Sequence, residues 1–220
     1  MNTSGGAISI GTGILQSTTS GGITLNSGGG NITVGGGGIQ TATGTVTINS
    51  GATGLITVNN IINLTGAGTL NITTDTDISL NIANALTGVG ATLNVTQFTA
   101  SKIIGIGAGA TGDILFSAAE YAMIKDGWAN LVFGTLTATG GINVTATAWT
   151  DSVTFRSLSG VINLANAMSF AANNLTITTD ADINLGGLLT GTGTLTITPT
   201  SNSTGIGIGT GQSGAISFTD

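Results

Sequence analysis

The sequence predicts an all-β chain wound as a right-handed parallel β-helix, a β-solenoid with coils of about 20–24 residues and one short α-helical insert. Three observations carry that expectation. First, Leu70–Leu80 (LNITTDTDISL) returns 105 residues later as Leu175–Leu185 (LTITTDADINL), identical at eight of eleven positions. Second, equivalent triplets begin at Val46, Leu70 and Leu93, intervals of 24 and 23, and at Leu175, Leu195 and Ile216, intervals of 20 and 21. A repeat near that length, made of short strands, is the mark of stacked coils. Third, the composition suits a narrow lumen, with 38 Gly, 1 Pro, no Cys, 4% aromatics and 40% hydrophobics.

Along the chain, runs such as Ile8-Ser9-Ile10, Ile32-Thr33-Val34 and Ile62-Asn63-Leu64 alternate apolar with small polar residues. Gly, Asn and Ser separate them, which reads as half-buried strands between turns. The alternation continues through Leu93-Asn94-Val95, Ile142-Asn143-Val144 and Ile162-Asn163-Leu164 to Ile216-Ser217-Phe218. Eight to ten such coils would make a rod on the order of 40–50 Å long. A longer period overlies the coils. Ile104-Gly105-Ile106-Gly107 followed by Phe116 recurs as Ile206-Gly207-Ile208-Gly209 followed by Phe218. Residues 54–116 and 141–218 therefore read as two copies of a supermodule inside one solenoid domain spanning 1–220.

The exception is Ser117–Gly127 (SAAEYAMIKDG). Ser117 and Glu120 have capping-box spacing, Tyr121, Ile124 and Trp128 share a helical face, and Gly127 suits the C′ position. The expected element is a helix of two to three turns, followed by a strand at Leu131–Phe133. The pattern Ser-Ala-x-Glu-x-Ala-x-x-x-Asp-Gly-aromatic, ending in a short strand and Gly134 (residues 117–134), resembles a recurring insert of large Gram-negative and cyanobacterial exoproteins. The Gly-rich alternation on either side is similar to the filamentous haemagglutinin family. That resemblance implies a β-helical shaft in a secreted or surface-bound adhesin or fibre.

Composition also excludes classes. Nine acids against three bases give a net charge of −6 with no basic patch, so nucleic acid is not an expected partner. No run of about eighteen apolar residues is present, so no membrane-spanning helix is expected. Residues 1–20 have neither the basic nor the apolar region of a signal peptide. With no His and no Cys, most general bases and nucleophiles are missing, and the chain reads as a non-enzyme.

Four acids form two pairs, Asp75/Asp77 and Asp180/Asp182. In strand geometry i and i+2 share a face, which makes them the candidate calcium ligands. The competing reading, and the favoured one, is corner residues, where Asp bonds its own backbone and keeps the edges charged. Tyr121, Trp128 and Trp149 form a candidate interaction patch for glycans, weighed against a role as core of the insert. Asp151 with Arg156 is the one arrangement that suggests a polysaccharide-cleaving carboxylate. Thr176-x-Thr178 and Thr196-x-Thr198 suggest a stacked threonine face of the kind that binds ice, with Asn143 and Asn163 in comparable slots of preceding coils.

The ends complete the reading. Gly6–Ile10 (GAISI) and Gly214–Phe218 (GAISF) resemble each other and not polar caps. The expected partner is therefore the chain itself, or neighbouring repeat modules, stacked head to tail into filaments. Host-cell or matrix glycans are a further expected partner, and the expected location is extracellular or the cell surface.

Overall fold

The computed structural model describes residues 1–201, 205–208 and 216–218. Strands stack in parallel and in register on three faces of a β-solenoid of about eight turns. The first face begins with β1 (Ile8–Ile10), β4 (Ile32–Val34), β7 (Ile56–Val58) and β10 (Ile78–Leu80). The second comprises β2 (Leu15–Ser17), β5 (Ile39–Thr41), β8 (Ile62–Leu64) and β11 (Leu86–Gly88). The third is the longest: β3 (Ile23–Asn26), β6 (Thr45–Gly51), β9 (Thr69–Thr74), β12 (Thr92–Gln97), β15 (Asn130–Gly134), β17 (Val153–Arg156), β20 (Leu175–Thr178) and β23 (Leu195–Thr198).

The alternation sets which side chains enter the lumen. Val46 pairs with Leu70, and Leu70 with Leu93, so like residues sit over like at the strand spacing of about 4.8 Å. All three are fully buried. Each such side chain contributes roughly 1.5–3 kcal/mol of transfer free energy. Every coil is thus held mainly by the coil below and the coil above. The corner from the third face to the first is polar inside. Ser27, Ser50, Thr74, Ser157 and Thr179 are buried there. Their hydroxyls serve groups that the corner removes from water: Ser50 Oγ donates to Thr74 Oγ1 (2.9 Å), and Ser157 Oγ to the Gly140 carbonyl (3.0 Å). Close backbone packing explains the Gly35–Gly38 run. A Cβ on Gly36, whose φ is +53°, would lie 1.5 Å from the Gly11 carbonyl oxygen.

Two irregularities matter for function. After β12 the chain enters the first face one layer ahead, as β13 (Ile104–Ile106), and then steps back to β14 (Ile114–Phe116). β14 lies against β10, while β13 pairs with β16 (Ile142–Val144), followed by β18 (Ile162–Leu164) and β21 (Ile183–Leu185). The first face therefore carries two strands, β14 and β13, where the third carries only β12. The second copy of the motif repeats this. β24 (Ile206–Ile208) pairs with β25 (Ile216–Phe218) in the register that β13 keeps with β14, and β25 lies against β21. Ile216 thus belongs to the first face, and the expected equivalence of Leu195 and Ile216 does not hold. The 21-residue interval is coincidental, because the motif's extra strand adds residues without advancing the coil.

The second irregularity is the second face, which has no regular strand between β11 and β19 (Met168–Ser169), the partner of β22 (Leu189–Thr190). Only single bridges, Leu86 to Ile124 and Ala148 to Ser169, mark it there. The insert occupies that gap.

Candidate functional site

The capping box forms as expected: Ser117 Oγ accepts from Glu120 N–H (3.3 Å), and Glu120 Oε2 accepts from Ser117 N–H (3.0 Å). The helix α1, however, is only Ala118–Tyr121, with Ala122 as its C-cap. The expected two to three turns do not form because the second-face ladder competes for the backbone. Ile124 bridges Leu86, Lys125 N–H donates to the Leu86 carbonyl (2.9 Å), and Gly90 N–H donates to the Gly127 carbonyl (2.8 Å). Gly127, at φ +122°, ends this edge segment and is not a helix C′ residue. The strand expected after it is present as β15.

Trp128 turns its ring onto Gly88, where a Cβ would come within 2.5 Å of the ring. Trp149 is the hub of an aromatic cluster, with ring centroids 5.0 Å from Tyr121, 5.6 Å from Phe155 and 6.2 Å from Phe170. Phe133 joins it at 6.2 Å. Large rings appear where the first face gains a strand and the second face loses one, since aliphatic ladders no longer span the lumen. Trp128 is 4% exposed and Trp149 2% exposed. Tyr121 is half-buried, with its O–H donating to the Ala148 carbonyl (2.9 Å). The structure joins Tyr121 to Trp149 and packs Trp128 apart from them, against Gly88; both indoles are buried and present no outward stacking surface, which corrects the patch reading. Burial also pushes the Tyr121 hydroxyl well above its ordinary range, with Asp151 nearby adding to the effect.

Outside this cluster a recess of ≈ 240 Å³ is lined by Tyr121, Ile124, Asp126, Leu131, Ala148 and Asp151. Asp151 is 5% exposed, and its Oδ1 accepts from Gly127 N–H (2.9 Å). Burial pushes the Asp151 carboxyl up to about 6, and the neighbouring Asp126 raises it further against the backbone donors Gly127 and Trp128. The partner of Asp151 is thus Asp126 and not Arg156, which is placed on β17 between Gly134 and Thr178. The 24-residue step from Gly127 to Asp151 equals the coil repeat of the first half. That spacing was the available sequence signal for this contact.

The paired aspartates lie in corners, after β9 and β20 end, so the shared strand face does not arise. Asp75 Oδ1 accepts from Thr99 N–H in the next coil (2.7 Å). Asp180 Oδ1 does the same for Thr200 (2.8 Å) and Ser201 (3.0 Å). Asp77 Oδ1 accepts from Ile78 N–H (3.0 Å) and from Leu115 N–H (3.3 Å). Burial, with Glu120 nearby, raises the Asp77 carboxyl. The Asp182 carbonyl accepts from Ile162 N–H (3.1 Å). These are staples between coils, the corner role expected from the sequence, with the difference that Asp75 and Asp180 reach the following coil. Among the described residues no three His, Cys, Asp or Glu side chains gather as a metal-holding group.

The threonine columns are real, with Thr176 opposite Thr196 and Thr178 opposite Thr198. Asn143 and Asn163 lie on the first face and do not continue them. The neighbours below are Thr154 and Arg156, then Val132 and Gly134.

The fold and these contacts define a class, the parallel β-solenoid, with a helical insert and aspartate corner staples. No family model matches the chain, and no curated protein or solved structure matches it either.

Proposed function

We propose that this chain is a structural shaft segment of a secreted or cell-surface fibre or adhesin, stacking end to end with copies of itself or with neighbouring modules. The observation that carries the reading is the open ladder. Among the described residues β1 and β2 each pair on one side only, and the outermost third-face strand, β23, leaves Leu195 52% exposed. Unpaired in-register edges at the ends of a solenoid are templates for more strands. The side chains with chemical potential support a structural role as well. The aspartates staple coils through backbone N–H groups, and the indoles fill the lumen. The threonine columns favour ice binding less, since Val132, Gly134 and Arg156 interrupt them. The resemblance of residues 117–134 to haemagglutinin-like exoproteins agrees with an extracellular location, where matrix or cell-surface glycans are the proposed outside partners.

Size-exclusion chromatography and negative-stain imaging of the purified chain test this. Concentration-dependent rods longer than one molecule are expected. A stable monomer at high concentration refutes the end-to-end reading.

A further inference from the structure

The first and last described third-face edges carry complementary columns. Met1 to Thr3 already run as a third-face edge beneath β3: Asn2 bridges Asn26, the Met1 carbonyl accepts from Asn26 N–H (3.0 Å), and Thr3 N–H donates to the Asn26 carbonyl (2.8 Å). Asn2 therefore stands at the foot of an outward column that rises through Asn26, Asn49, Thr73 and Thr96. The column ends at Arg156, Thr178 and Thr198. Both termini of the column are exposed polar residues. Met1 is 67% exposed at the foot of the neighbouring third-face column, whose far end is Ile197, and beside it Leu195 is 52% exposed. Deeper members of those two columns, such as Ile48, Leu70, Ile72 and Leu93, are fully buried. The two ends thus carry the apolar surface that an added coil covers.

The chain also contains a template for the joint. Once β13 has run one layer ahead, the next third-face strand, β15, lies on β12 and leads into β16, which closes the open side of β13. At the far end β23 corresponds to β12, and β24 to β13, with the same register to its partner. Among the described residues β24 pairs with β25 alone. Residues 1–3 lead into β1 as β15 leads into β16. Only the second-face layer, supplied inside the chain by the insert, has no counterpart in such a joint.

We propose that the occupant of the open β23 and β24 edges is the amino-terminal edge of a second copy, in one register. Asn2 of the incoming copy stands opposite Thr198, Met1 covers Ile197, and β1 closes β24 with Ile8 opposite Ile206. This rests on the end-to-end reading above and adds the register to it. The contact is heterologous, with different surfaces on the two sides, and each addition regenerates the same open edge.

The chain has no cysteine, so a single engineered pair reads the joint. The variant Asn2→Cys/Thr198→Cys places two exposed thiols within the Cα separation of 4.4–6.8 Å that a disulfide needs. In one molecule the same positions lie eight layers apart, roughly 38 Å, which prevents internal closure. Mild oxidation is expected to give a ladder of reducible multimers on a denaturing gel, while Asn2→Cys/Thr178→Cys, one coil further in, gives none. Circular dichroism confirms that each variant folds. Rods in negative stain without a reducible ladder from the 2/198 pair overturn the register and leave the end-to-end reading standing. Monomers of the unaltered chain in chromatography and imaging overturn both.

Discussion

Asp151→Asn tests the physical reading of the insert most directly. Asp151 is almost wholly buried, and its carboxyl is held at about 6 against an ordinary 3.8. Between those values the folded chain keeps a proton that the unfolded chain has released, so stability falls as pH rises. The contribution is fully present below about pH 4 and lost by the time pH has passed 6. Two units at 1.36 kcal/mol each set the loss at no more than about 3 kcal/mol, part of it shared with Asp126. Asparagine retains an oxygen for Gly127 N–H and removes the charge. The variant is therefore expected to match the parent near pH 4 and to exceed it at pH 7.5. For a chain of this length, 1 kcal/mol moves the melting temperature by roughly 2–4 °C, which puts the gap at no more than about 6–12 °C. Thermal unfolding followed by tryptophan fluorescence from pH 4 to 8 measures it, since Trp128 directly follows the Gly127 amide that Asp151 holds. A parent whose melting temperature is flat over that range refutes the reasoning. So does a variant that falls in parallel with it.

Two further outcomes follow from the same contacts. Gly88→Ala forces a methyl group into the Trp128 ring and is expected to cost about 1–3 kcal/mol in urea unfolding, with a red shift in fluorescence; unchanged unfolding would show that the ring moves freely. Millimolar calcium is expected to leave the melting temperature unchanged, because Asp75, Asp77 and Asp180 each already give an oxygen to backbone N–H groups and a calcium shell needs six to eight oxygens. A rise lost on Asp75→Asn would instead assign a metal to that corner.

Most of the fold is readable from spacing because a solenoid turns tertiary contacts into near-constant sequence offsets. Ile8, Ile32 and Ile56 are partners at steps of 24, and their alternation alone assigns them to the lumen. Corner roles for Asp75 and Asp180 are readable for the same reason: a copied motif places them at the end of equivalent strands. The reading fails where offsets stop being constant. The helical pattern of 117–127 is genuine local propensity, yet Leu86 offers the backbone of Ile124 and Lys125 a ladder position, and one turn of helix is all that survives. Period-two alternation likewise cannot reveal that β13 lies beyond β14 on the axis, because both strands carry the same inward pattern.

The sequence by itself determined the strand period, the coil length, the copied supermodule and the aliphatic lumen, all consequences of local alternation repeated at fixed intervals. Only the tertiary structure decided that the first face gains a layer as the second loses one, and that Trp128 and Trp149 fill the space between. It also paired Asp151 with Asp126. Those outcomes depend on competition among layers for the same backbone partners and the same interior volume, which no single segment encodes.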